Sequence, residues 1–313
     1  MLKPIVKNSL LQLGKLWVLC LLAIQPQAVN AQDGWAWWKI RHNWPGDRSP
    51  LEYIVRTPGR MGPNALPIPG IPDPSIGYRT RCWMAGSWAG GKGDQTLNPE
   101  IGIYFPLLKN RLALEARSIG FEYYRMSPVT RDFRMAKDSM GDGFSKSETY
   151  LTILARLWSE SNARPACSIT FSVKPTTGKN LENARHINAP AYSFAWCSGG
   201  KLDWLGLSGW SYRAQMGGMI WQKGDDAQND AWIYGLGISR HWVNLTASMF
   251  WLGMRGYTGI GDRPQVLRGA INYGWKRWEL ETTCQYALRD FVPWFAQAKL
   301  IWKWDWADKT NSY

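Results

Sequence analysis

From residue 75 onward the chain alternates. Cys167, Ile169, Phe171 and Val173 are apolar, and Ser168, Thr170, Ser172 and Lys174 between them are polar. Val243, Leu245, Ala247, Met249 and Trp251 alternate in the same way with Asn244, Thr246 and Ser248, as do Trp294, Ala296, Ala298, Leu300, Trp302 and Trp304 with Gln297, Lys299 and Lys303. A period of two with one apolar face marks a strand with that face out of water. The pattern predicts about twelve strands, over 76–89, 98–106, 111–124, 147–158, 165–175, 190–198, 201–216, 230–241, 242–255, 265–275, 277–289 and 294–304.

The connections carry as much information as the strands. Short ones fall at 107–110, 159–164, 199–200, 241–242 and 276, and longer polar ones at 90–97, 125–146, 176–189, 217–229 and 256–264. The link over 290–293 is short where a long one is due. Short and long hairpin links in turn are the pattern of a transmembrane β-barrel, with tight periplasmic turns and larger outer loops. An even strand number is expected to return both termini to the periplasm. Closure satisfies every backbone group in lipid. The expected fold is therefore all-β, a closed antiparallel transmembrane barrel over 75–304. A secreted sandwich or soluble barrel shares the same period. Aromatics near strand ends, such as Trp158, Trp196, Trp242, Trp251, Trp275, Trp278, Trp294 and Trp304, favour the membrane form.

Composition fits. The 313 residues include 21 Trp and 31 Gly, and 19% are charged against the ~25% usual in soluble domains. Low mean hydropathy excludes a polytopic helical membrane protein. Lys3, Lys7 and Lys15, the apolar run Leu16 to Ile24 and small residues ahead of Gln32 form a secretory signal pattern over 1–31. Residues 32–74 hold a Trp cluster and then Pro58, Pro63, Pro67, Pro69, Pro72 and Pro74. Such a run is extended or polyproline-like. It reads as a linker wrapping the body, or else as a periplasmic segment or one that enters and narrows a pore. Residues 305–313 form a polar tail.

The region 75–304 resembles bacterial outer-membrane β-barrel proteins of the porin-like and transporter-like kind. Leu181–Arg185 through Ala189–Tyr192, and Gly261 to Arg268, resemble uncharacterised members of that group. The resemblance implies no chemistry. Such barrels usually end on an aromatic that closes the last strand, whereas here a polar tail follows.

Candidate chemistry is sparse. Of His42, His186 and His241, only His186 suits a lipid hydrolase at the outer leaflet, but Ser168 and Ser172 take the opposite parity and residue 214, level with it, is Ala. The acidic groups Asp138/Asp142 and Asp225/Asp226/Asp230 lack the spacing of a calcium loop. Asn244–Thr246 is a glycosylation triplet inside a predicted strand. No cofactor is expected, and no nucleic acid, because an exported barrel does not meet it. Cys167 and Cys197 take opposite parity and Cys82 and Cys284 lie on strands that are not neighbours, so no disulfide is expected and Cys82, Cys167 and Cys284 fall on the lipid face.

Parity assigns a basic lumen. Arg79, Arg81, Arg111, Arg117, Arg156, Lys174, Arg213, Arg268, Arg289, Lys299 and Lys303 point inward, against Glu115, Glu148, Glu279, Glu281 and Asp203. Parity becomes doubtful after Ser118, where Gly120 fits a bulge. A narrow wall of one sign favours anions, unless Glu279 and Glu281 close it by pairing with Lys299 and Lys303. The expectation is a non-enzymatic outer-membrane barrel. It would pass small polar or anionic solutes, or else serve as a non-conducting scaffold, anchor or secretion accessory. Its partners would be outer-membrane lipid, such solutes and a periplasmic or surface protein.

Overall fold

The computed structural model describes residues 34–91, 93–162, 164–224 and 227–305. The expected signal peptide, Cys20 and most of the polar tail lie outside the described residues. Trp37–Tyr313 is one compact unit. Its strands are β1 (Thr80–Gly91), β2 (Asp94–Leu108), β3 (Leu112–Ser118), β4 (Phe121–Met126), β5 (Asp142–Lys146), β6 (Thr149–Trp158), β7 (Ala166–Lys174), β8 (Ala191–Lys201), β9 (Trp210–Gly224), β10 (Ala227–His241), β11 (Leu245–Gly256), β12 (Gln265–Trp275), β13 (Trp278–Arg289) and β14 (Trp294–Trp304). Neighbours pair antiparallel, and β1 pairs with both β14 and β2, so the sheet closes. β3 with β4, and β5 with β6, are each one stave broken by an irregularity, which makes a closed barrel of 12 strands.

The break at Ile119–Gly120 is where parity changes. Ala113, Glu115 and Arg117 face inward before it, and Glu122, Tyr124 and Met126 after it, their burial alternating accordingly. Gly120 thus marks the bulge expected from the sequence.

Outward and inward faces differ sharply. Ile169, Phe171, Phe194, Leu236, Met249 and Leu280 are exposed on the outer face. Gln215, Ile233, Leu252, Met254 and Val266 are buried on the inner one. A continuous exposed apolar band suits lipid and not water. Aromatic pairs edge it at both ends, Trp278–Trp302 and Tyr273–Trp275 near the turns and Tyr286–Trp294 near the loops. Among the described residues no helix is long and apolar enough to cross a membrane.

Several expected boundaries move. The expected long links at 90–97 and 217–229 are tight hairpins, because β1, β2, β9 and β10 run further than the pattern indicated. Gly199–Gly200, expected to turn, lies within β8; the connection is instead 202–209, with a 3₁₀ turn at Asp203–Leu205. Gly199 lacks a Cβ for another reason: one there would stand 2.6 Å from the Tyr212 carbonyl and 3.2 Å from Pro74 Cγ. Glycine in a strand often marks such a close approach.

The N-terminal segment does not wrap the barrel. Trp38 Nε1 donates to the Met135 carbonyl at 3.0 Å, and Arg60 lies 3.9 Å from the Phe133 ring, both in the outer loop after β4. Gly59 and Gly62 amides donate to the Gly261 and Ala184 carbonyls, also at the loop end. The Ile68 carbonyl then accepts from Arg268, the Pro69 carbonyl from Gln215, and the Gly77 carbonyl from Tyr104. These partners are inward side chains, so residues 54–77 run down the lumen from the loop end to the turn end, where β1 begins. Both ends of the barrel wall lie at the turn end, since Thr80 pairs with Trp304. Trp38 lies at the loop end, opposite Thr80 and Trp304, and the two chain ends, on which the expectation of periplasmic termini falls, lie outside the described residues.

Cys167 and Cys197 take opposite parity on β7 and β8, and β14 separates Cys82 from Cys284. All four are free thiols. Cys167 is outward but covered, at 1% exposure, whereas Cys284 is open.

Candidate functional site

The site is the lumen and what fills it. In the loop-end half the wall is apolar on one side. Ala195, Cys197, Met219, Ile233, Leu252 and Met254 from β8–β11 pack against Ile54, Met61, Leu66, Ile68 and Ile71 of the threaded segment. Leu181, Ala184 and Ile187, from the loop between β7 and β8, join the same cluster. Each large side chain buried this way contributes about 1.5–3 kcal/mol of transfer free energy.

The opposite wall of that half is ionic and dry. Arg185, folded in from the loop, donates to Glu122 Oε1 at 2.6 Å, to Asp94 at 3.1 and 3.2 Å, and to Thr96 at 2.7 Å. Arg134 binds the other side of Asp94 at 2.6 Å. Asn64 of the threaded segment donates to Glu122 at 2.5 Å and to Asn98 at 2.8 Å. Lys174 binds Glu148 at 2.9 Å and the Ala189 carbonyl at 2.9 Å. His186 stands between them, 3.5 Å from Glu122 and 3.4 Å from Glu148. Burial alone would lower the Arg185 pKa; Asp94 and Glu122 outweigh it and raise the guanidinium above its ordinary value. The network thus ties the segment, the loop and the wall together.

The sequence reading missed most of this network. Asp94, Thr96, Asn98 and Glu100 alternate as inward polar positions on β2, a signal that ran past the expected start of that strand. Arg134 and Arg185 lie in loops, where parity says nothing. His186 is walled in by carboxylates, with no hydrogen-bonded serine among the described residues. The serine–histidine contact lies elsewhere: His241 Nε2 is 2.7 Å from Ser211 Oγ at the turn end, and its other nitrogen meets Thr246 instead of a carboxylate.

The assigned wall residues divide. Arg81, Arg117, Arg156, Lys174, Arg213, Arg268, Glu279, Glu281, Lys299 and Lys303 face the lumen by register and contact. Arg79 and Arg111 instead lie exposed before β1 and β3, at the turn-end rim, Arg79 bound to Asp305 at 3.1 Å. Arg289 is exposed at the loop end beside Asp290. Asp203 lies in the 3₁₀ turn, outside any strand. Lys299 pairs with Glu281 at 2.9 Å and Lys303 with Glu279, which is the closing arrangement anticipated above. Arg81 lies over Tyr104, Arg268 binds Gln285 and the Ile68 carbonyl, and Arg156 the Ser75 carbonyl, so these three take neutral partners.

Solvent exposure separates the two sets of charge pairs. Arg185, Glu122 and Glu148 side chains are 0% exposed at the loop end, whereas Lys299, Glu281, Lys303 and Glu279 near the turns are 20, 25, 24 and 19% exposed. An apolar groove of about 460 Å³ bounded by Ile153, Phe171, Phe194, Trp196, Met216 and Trp232 lies on the outer face, away from the lumen. Among the described residues no cluster suits a metal ion.

No protein-family model and no curated protein matches the chain. Among solved structures it is similar to an outer membrane channel from Pseudomonas putida F1, at 12% identity and a TM-score of 0.53, covering 77% of this chain and 97% of that one. It also matches a bacterial polysaccharide outer membrane secretin (8% identity, 73% and 99% covered, TM-score 0.41) and the β domain of the Bordetella autotransporter BrkA (13%, 72% and 98%, 0.37). The first likeness shows the fold, an outer-membrane type of β-barrel.

Proposed function

We propose that the chain is an outer-membrane channel for small polar or anionic solutes, held shut by its own N-terminal segment. One observation carries this reading. The loop-end charges are fully buried, whereas the Lys299–Glu281 and Lys303–Glu279 pairs near the turns keep 19–25% exposure, so a narrow charged track reaches water along the β13–β14 wall, while on the other side Ile76 of the segment packs with Tyr104, Ala113 and Leu154. A barrel serving only as a scaffold has no use for such a track. The cations with neutral partners, Arg81, Arg156 and Arg268, make anions the favoured solutes. The outer-membrane fold of the solved channel supports the location, and the apolar band supports lipid as the surrounding medium.

A second reading has its own support. The Lys299–Glu281 and Lys303–Glu279 pairs neutralise one wall, as in a barrel that never conducts and acts as scaffold, anchor or secretion accessory. Planar-bilayer recording separates the two. The full chain is expected to be nearly silent, and Leu66→Asp, which puts a charge into the packed cluster, is expected to open steps with chloride preference in a KCl gradient. Silence in both, with the variant correctly folded, removes the channel reading.

A further inference from the structure

At the turn end the threaded segment bends over Asp73, Pro74 and Ser75. Asp73 Oδ1 accepts the Ser75 amide at 2.9 Å, and its Oδ2 lies 3.8 Å from Arg213 Nη2. Arg156 Nη1 donates to the Ser75 carbonyl at 3.4 Å. The wall is shaped to receive this bend, because a Cβ at Gly199 would stand 3.2 Å from Pro74 Cγ and 3.3 Å from Arg213 Cγ. Ser168 sits across from Arg156 in the β6–β7 register. It is fully buried, and its hydroxyl has no hydrogen-bond partner among the described residues. Other charges bear on the same spot. Tyr104 lies within electrostatic reach of Arg81, Glu115 and Asp73, and His241 of Arg213, Asp73, Arg240 and Lys201. Cations outnumber carboxylates here, and the central carboxylate belongs to the plug.

That carboxylate is loosely held. Asp73 is 59% exposed and lacks a close bidentate contact with Arg213. A water-exposed pair at this distance is weak. A free carboxylate can instead present both oxygens to a guanidinium in the fork geometry that arginine favours.

We propose that Asp73 stands in for a small carboxylate solute. Such a solute, entering from the turn end, binds Arg213 beside Arg156 and the Ser168 hydroxyl, displaces the Asp73 bend and loosens the foot of the threaded segment. The proposal rests on the channel reading for its consequence, but the binding site is tested without it.

Equilibrium dialysis of the full-length, detergent-solubilised barrel against radiolabelled acetate at low chloride reads the site directly. Asp73→Asn is expected to tighten acetate binding by at least about tenfold. Arg213→Gln in the Asp73→Asn background is expected to abolish it, with folding of each variant checked by heat-modifiable gel mobility. Equal binding by wild type and Asp73→Asn overturns the proposal, as does binding that survives Arg213→Gln. Bilayer recording keeps the two readings apart. Tight acetate binding by Asp73→Asn with silent bilayers throughout leaves the carboxylate site standing and removes the channel. Conductance by Leu66→Asp with no acetate binding leaves the channel and removes the carboxylate site.

Discussion

Removing Arg185 is the sharpest test of how the lumen is held shut. Its guanidinium is 0% exposed and satisfies two carboxylates and a hydroxyl at once. In Arg185→Ala, Asp94 keeps Arg134 at 2.6 Å. Glu122 keeps only the Asn64 amide at 2.5 Å and His186 at 3.5 Å, while remaining fully buried. Breaking one side of a buried ion pair costs about 3–5 kcal/mol, mostly because a charge is left in a dry site. Urea unfolding of the barrel in detergent, followed by tryptophan fluorescence, should show a loss of that size. The origin of the loss is checked by Glu122→Gln. Alone it destabilises, because it weakens Arg185's partner set. In the Arg185→Ala background it should recover about 1–2 kcal/mol, since it removes the stranded charge. A loss below about 1 kcal/mol for Arg185→Ala, or no recovery in the double variant, would refute the claim that this network seals the loop end.

Three further outcomes follow from the geometry. Phe171→Arg or Leu280→Arg, on the exposed apolar band, should each cost roughly 2–4 kcal/mol if it lies at the membrane midplane, and Gln297→Arg on the inner face under about 1 kcal/mol, measured by the same unfolding assay. Thr283→Arg should also destabilise although Thr283 faces inward, because Thr283 is only 8% exposed and an added side chain overpacks the filled lumen. An epitope inserted at Gly46, whose surroundings are open, should be labelled on intact cells and one after Tyr313 should not; the reverse pattern would contradict the threading. Last, burial pulls the His42 pKa below 6.5, with Arg41 and Arg131 adding to the fall and Asp132 opposing it. The docked segment therefore binds a proton less readily than the undocked one, and docking should weaken as pH drops through 6.5. Asp132 is likewise held low: burial pushes its carboxyl up, but Arg131 and Arg41 outweigh that and keep it below 3.8, so its contribution is lost only in stronger acid. Protease cleavage near Lys39 should accelerate between about pH 7 and pH 5 in the wild type and not in His42→Phe.

The outer face was legible in the sequence because lipid imposes a strict rule on every second residue. Phe171, Leu280 and Met249 obey it. The inner face was less legible because it obeys two rules. On β10 and β11 alternation breaks down at Trp232–Ile233 and at Trp251–Leu252, where both faces are apolar. That breakdown is the signature of an apolar neighbour inside the barrel. The Pro-rich segment supplies that neighbour through Leu66, Ile68 and Ile71, but its prolines say only that it is extended, not where it lies. Gly199 misled for a related reason, since a residue missing its Cβ to admit Pro74 reads like a turn.

Charge was the least legible property. Parity shows that a side chain points inward, and neighbouring strands show which pairs form across a register, so Glu281–Lys299 and Glu279–Lys303 could be anticipated. Parity does not show what a loop brings in from above. Arg185 and Arg134 enter that way and settle on Asp94 and Glu122, so the loop-end lumen is balanced pair by pair. A sum over the wall therefore has no meaning for the whole lumen. The wall cations without a close carboxylate partner among the described residues are Arg81, Arg156, Arg213 and Arg268; three of them already touch the plug, at Ser75, Asp73 and Ile68, so an anion entering from the turn end would compete with the plug for Arg156 and Arg213 first.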